Sequence, residues 1–254
     1  MHYVQQGLLY LHIFTGGLGL LLFWIPIFGR KGGFNHRRFG VFFRRTMLTS
    51  VISGVILALF WIVVPTMGHP ELLESPRAIP YFQRFGAFLV HLGLVMYTSV
   101  MGGQWALEAK NNRDSLRTPA RVAPAVLLVF TSIGSGYMGI RYEQVLMMVF
   151  APLGLMIAWG QLRFIFAKEV EPKAWLVEHL SGYIGTGIGA YTAFFAFGGR
   201  TLFSDIGAWQ YAFWILPGVI GNIAVVLLAR KYRAHDAAKS RSARTVPMPV
   251  KKSC

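Results

Sequence analysis

The sequence predicts an all-α integral membrane protein of seven transmembrane helices, with the N-terminus outside and the C-terminus cytoplasmic. Three observations predict this class. Of the 254 residues, 54% are hydrophobic and only 14% are charged, well below the charged quarter of an ordinary soluble domain. Apolar runs of about 20 residues, enough to cross about 30 Å of hydrocarbon, recur along the chain. The cations gather in alternate connections between those runs, as they do in membrane loops that stay inside. A net charge of +15 would point to nucleic acid in a soluble protein. Distributed in this way it is an orientation signal, and no nucleic-acid partner is expected.

Span one, 7–28, follows six residues without Lys or Arg, so no cleavable signal is expected. It carries His12 with Gly16, Gly17 and Gly19. The next connection holds Arg30, Lys31, Arg37, Arg38, Arg44 and Arg45, and includes the stretch KGGFNHRR with His36. Span two is 47–67, and span three, 85–107, carries His91. After it come Lys110, Arg113, Arg117 and Arg121. Between spans four and five, 122–140 and 145–166, Arg141, Tyr142 and Glu143 alone form the turn. Lys168 and Lys173 lead into span six, 175–197, which carries Glu178 and His179. Span seven, 211–229, ends on Arg230, Lys231 and Arg233.

All the large cation groups fall on one side if there are seven spans. The opposite connections offer only Arg77, Arg84, Arg141 and Arg200, against Glu71, Glu74, Glu143 and Asp205. An even number of spans would break this pattern. Ring placement agrees: Tyr81, Tyr142, Trp209 and Tyr211 lie toward the outer interface, and Trp24, Trp105, Trp175 and Tyr232 toward the inner one. The transmembrane domain is 1–230. The basic tail 231–254 is expected to be disordered and drawn to anionic lipid on the cytoplasmic face. A bacterial inner membrane is the expected location. The single cysteine, Cys254, has no partner within one chain, which excludes internal disulfides.

Ionisable groups within a bilayer are costly and mark function. Carboxylates are almost absent from the spans, where only Glu108 and Glu178 stand near cytoplasmic ends, so a carboxylate proton relay is not expected. Histidines remain. At 1.5 Å per residue, His12 and His91 lie about 8–9 Å below the outer ends of their spans, and His179 about 6 Å above the inner end of its own. His36 reaches the level of His179. The four form an outer pair, His12 and His91, and an inner pair, His36 and His179. Two neutral imidazoles at one depth can supply both axial ligands of a b-type haem. Histidine in a span also commonly bonds to a neighbouring helix instead. A haem-free metal site of His36, Glu178 and His179 is disfavoured because adjacent helical residues diverge.

Two other readings stay open. A carrier or ligand-binding protein would line a polar cavity with His12, His91, His179, Tyr183, Thr186 and Asn222. A scaffold subunit would use small-residue faces, such as Ser181, Gly185 and Gly189, against membrane protein partners. Serine-protease chemistry is not supported. The run SIGSGYMG is similar in outline to rhomboid proteases, but Ile133 stands where the motif needs glycine before Ser135. KGGFNHRR lacks the Gly-Lys-Ser/Thr ending of a phosphate loop.

The runs LHIFTGG, KGGFNHRRFG, EHLSGYIGTGIGAYTAFFAF and WILPGVIGN resemble an uncharacterised family of bacterial multi-span membrane proteins, known only as a domain of unknown function. The matching positions include His12, Gly16, Lys31, Gly32, Gly33, His36, Arg37, Gly40, His179, Thr192, Ala193, Phe194, Pro217 and Gly221. More distantly, a histidine early in one span followed by a His-Arg loop is similar to the two-haem transmembrane cytochromes b. That resemblance implies haem b on each side of the membrane, held by histidines of four consecutive helices. Here span four has no histidine, and the fourth candidate is displaced to span six.

Overall fold

The computed structural model describes residues 2–68, 70–198 and 216–231. Arg200, Asp205, Trp209, Tyr211, Tyr232, Arg233 and the tail beyond Lys231, Cys254 included, lie outside the described residues. Among the described residues there is no strand. The long helices are α1 (His2–Phe28), α2 (Phe34–Val63), α3 (Ile79–Ala109), α4 (Pro119–Arg141), α5 (Val145–Phe166) and α6 (Ala174–Ala193). A further helical stretch over 216–231 is α7. Five of them, α1 to α5, are long and apolar enough to cross a membrane, the pattern of a polytopic membrane protein. The expected spans 175–197 and 211–229 are helical over 174–198 and 216–231, but are not among the five.

Local chemistry sets the boundaries. Helix α2 stops at Val63 because Pro65 follows, and proline disfavours helical backbone in the residue before it. The connection to α3 is then punctuated by Pro65, Pro70 and Pro76, each opening a short helical turn. Thr118 is extended and Pro119 begins α4, where a missing N–H costs nothing. The narrow gap between spans four and five is a real break. The Tyr142 N–H bonds to Met138 O at 3.0 Å and the Gln144 N–H to Gly139 O at 2.9 Å. Glu143 adopts φ 54° between them, the left-handed position that closes a helix.

Neighbours in sequence pack antiparallel, and the register is readable at glycines. Along α1 and α2, His12 meets Gly54, Gly16 meets Ser50 and Gly19 meets Met47. Along α2 and α3, Gly86 abuts Ala58 and Gly93 abuts Val55. Along α4 and α5, Gly136 meets Ala151 and Gly139 meets Met148. Helix α6 returns to α3, so that α3 touches α2, α4, α5 and α6 and forms the centre. Alternation brings the connections 29–33, 110–118 and 167–173 to one end, here called the basic end.

Side chains are sorted for an apolar surround. On α4, Phe130, Ile133, Tyr137 and Ile140 are exposed, whereas Ser132, Ser135 and Gly139 are buried. Polar hydroxyls inward and large apolar groups outward is the sorting expected when hydrocarbon is the solvent.

Candidate functional site

The basic end gathers polar side chains from four helices, α2, α3, α4 and α6. Three carbonyls at the C-terminus of α1 have no intrahelical partner available to them, and KGGFNHRR supplies partners. Lys31 Nζ donates to Pro26 O at 2.9 Å and to Ile27 O at 2.5 Å. His36 Nδ1 lies 3.0 Å from the same Pro26 O. Gly32, at φ 73°, makes the turn that returns the chain. Burial pushes the Lys31 ammonium below its ordinary value, because carbonyl dipoles only partly replace its water shell.

His36 on α2 faces His179 on α6, with ring centres 6.5 Å apart and planes at 71°. His179 Nδ1 lies 3.3 Å from Gly103 O on α3. A carbonyl can only accept, so both rings are held with the proton on Nδ1 and, when neutral, the lone pair on Nε2. A backbone carbonyl on the far nitrogen is the support that metal-binding imidazoles commonly have.

Tyr183 continues the cluster one turn further along α6. Its ring centre lies 4.6 Å from that of His179, and its hydroxyl donates to Gln104 Oε1 at 2.8 Å. Gln104 Nε2 donates in turn to Glu108 Oε1 at 2.8 Å, and the Arg121 guanidinium approaches Glu108 Oε2 at 3.4 Å. The chain Arg121–Glu108–Gln104–Tyr183 thus runs from the surface of α4 across α3 to the histidine pair. Gln104 is a member of the site that only its spacing of four from Glu108 on one helical face marks in the sequence.

The outer histidines have different surroundings. His12 Nδ1 donates to Ser50 O at 2.8 Å, with its ring in the notch left by Gly54 of α2. His91 is buried between α4 and α5. Its Nε2 lies 3.3 Å from Phe150 O and its Nδ1 3.1 Å from Thr131 Oγ1, so both nitrogens are engaged. The structure brings His36 and His179 together; it places His12 against α2 and His91 against α4 and α5.

Other expected site residues are also locally satisfied. Thr186 donates to Gly182 O at 2.7 Å and Asn222 to Gly218 O at 2.7 Å. Among the described residues, no three or more His, Cys, Asp or Glu side chains gather as a metal site. No protein-family model, curated protein or solved structure matches this chain.

Proposed function

We propose that this chain is a membrane redox protein that binds haem b at its basic end through Nε2 of His36 and His179. One observation carries the reading: two imidazoles tied through Nδ1 to backbone carbonyls, 6.5 Å apart. Two imidazoles that share one metal ion through bonds of about 2.0–2.1 Å have ring centres about 5 to 6.5 Å apart. The observed spacing lies within that range, so Nε2 of His36 and Nε2 of His179 would hold the haem iron. A haem bound there supplies a one-electron couple. The protein's part is to fix the tautomers through Pro26 and Gly103 and to keep Tyr183 beside the pair. Similarity to the two-haem cytochromes b supports the same reading, moved to the inner pair. In a bacterial inner membrane the basic end faces the cytoplasm.

The test is an optical spectrum of protein purified from haem-replete cells, oxidised and then reduced with dithionite. A Soret band and a sharp alpha band are expected, lost in His36→Ala and in His179→Ala and kept in His91→Ala. A colourless wild-type preparation overturns the proposal.

The Arg121–Glu108–Gln104–Tyr183 chain favours a second reading, a carrier that takes a small polar ligand at the same end. A ligand screen by thermal shift would then find compounds that stabilise the wild type and leave His179→Ala unmoved.

A further inference from the structure

Two turns at the basic end hold lysine where glycine is the usual residue. The α3–α4 connection opens with a turn in which the Asn112 N–H bonds to Ala109 O at 2.8 Å. Its first central residue, Lys110, has φ 48° and ψ −105°, close to the angles of a type II′ turn, a position that glycine normally fills. The α5–α6 connection closes with a second turn, in which the Ala174 N–H bonds to Glu171 O at 3.0 Å. Pro172 comes first in its centre and Lys173 second, at φ 61° and ψ 21°. After proline in such a turn, a positive φ again favours glycine. The remaining non-glycine residue of positive φ among the described residues is Glu143, which closes α4. Strain of this kind persists where the side chain has a use.

Both lysines line one cavity of about 380 Å³ between the two connections. That volume is at the low end of small-ligand sites and far above the roughly 30 Å³ share of one water. Its walls differ in charge. The α3–α4 side presents Lys110 and Arg113, and the α5–α6 side presents Glu169 and Glu171 beside Lys173. Arg113 ties the walls together through the carbonyls of Phe164, Ala167 and Lys168. Lys110 and Glu169 are exposed, and among the described residues neither is in an ion pair. Trp175 lines the cavity and packs on the buried layer of Trp105, Phe164 and Ile165. Phe166 and Val170 are 52% and 40% exposed beside it. The cavity begins where α3 and α5 end, and an amphipathic ring with exposed apolar neighbours at a helix end marks the headgroup level of a bilayer.

We infer that this cavity binds the headgroup of a phosphoethanolamine lipid, a phosphate ester with a primary ammonium two carbons away. The phosphate suits the basic wall of Lys110 and Arg113, with Lys173 at the rim. The ammonium suits the carboxylate of Glu169, with Glu171 beside it. A purely anionic headgroup would meet both carboxylates, and a choline headgroup has no N–H to donate to them. The site uses neither His36 nor His179, so it stands apart from the haem reading.

The test follows the melting of full-length protein, stripped of lipid in detergent and returned to mixed micelles of phosphatidylethanolamine or phosphatidylglycerol at equal mole fraction. Phosphatidylethanolamine should raise the melting temperature more, and the shift should grow with its mole fraction. Lys110→Gly removes the ammonium and suits the turn. It should melt no lower than the wild type without lipid, yet lose most of the phosphatidylethanolamine shift. Glu169→Gln should bring that shift down to the phosphatidylglycerol level. Equal shifts by the two lipids in the wild type overturn the inference, as does a full phosphatidylethanolamine shift in both variants. Free phosphoethanolamine matching the effect of the lipid would give the cavity to a soluble ligand and overturn the lipid assignment.

Discussion

At the scale of single residues, glycine does different work at positions that look alike in the sequence. The stripe Ser181, Gly185 and Gly189 has the spacing of a helix-packing face, yet a Cβ at Gly185 meets nothing within 4 Å. At Gly189 a Cβ would meet only the flexible Met96 side chain, and the tight backbone contact is one residue from the stripe. A Cβ on Gly182 would lie 2.8 Å from Gly103 Cα and 2.9 Å from Gly103 N, and backbone cannot turn aside as a side chain can. Gly182→Ala is therefore expected to destabilise by about 1–3 kcal/mol, and Gly185→Ala to be close to neutral. Chemical or thermal unfolding of both variants in one detergent checks the contrast. The His179–Gly103 bond crosses at the same contact, so Gly182→Ala should also disturb the histidine pair. Spacing alone could nominate the helix but not choose its contact face, because the choice depends on where α3 lies.

At the scale of elements, the apolar runs marked α1 to α5 well, since length and hydropathy are local properties. The break at Tyr142 and Glu143 was legible too, because both flanks were long enough to cross. Ends and neighbours were less legible. Depth arithmetic put His12 and His91 at one level, but depth says nothing of the direction a side chain takes around its helix. Packing order decided that direction: His12 faces α2, while His91 faces α4 and α5. The inner pair was legible by level as well, and there His36 in the first turn of α2 faces His179 on α6. Arg113 shows what sequence reading missed at helix ends. Read as one more orientation charge, it donates to Phe164 O at 2.9 Å, Ala167 O at 2.7 Å and Lys168 O at 3.2 Å. It thereby caps α5, where a cation also suits the negative end of the helix dipole. Arg113→Met is expected to cost about 1–2 kcal/mol after allowance for its partial exposure. Arg113→Lys should recover only part of this, because an ammonium lacks the planar fork that reaches several carbonyls. Unfolding midpoints of the two variants, measured at equal lipid content, decide between a cap and a charge that serves topology alone.

For the whole molecule, the distribution of charge between the two ends makes a claim about which compartment each faces. The basic end carries Arg30, Lys31, Lys110, Arg113, Arg117, Lys168 and Lys173 in its connections. At the other end the described arginines are fewer, Arg77, Arg84 and Arg141, and two of them lie against a ring: Arg84 4.0 Å and Arg141 5.5 Å from the ring centre of Tyr142. Arginine or lysine at the centre of a span costs about 2.5–3.5 kcal/mol, and cations in short loops are held on the cytoplasmic side. The expected orientation therefore puts the basic end, and with it His36 and His179, inside. Ser75 and Ser115 are exposed, in the connections at opposite ends of α3. In a Cys254→Ser background, Ser75→Cys should react with a membrane-impermeant maleimide in intact cells. Ser115→Cys should react only after permeabilisation. The reverse pattern inverts the orientation, and reaction of both in intact cells means that α3 does not cross. The natural Cys254 extends the same measurement to the count of spans. With seven spans and an outside N-terminus it lies inside, and must be protected in intact wild-type cells. Its labelling there, alongside labelled Ser75→Cys and protected Ser115→Cys, would leave an even number of spans and remove either α6 or α7 from the membrane. Loss of α6 would carry His179 out of the bilayer, so the topology measurement also bears on the proposed haem site before any spectrum is recorded.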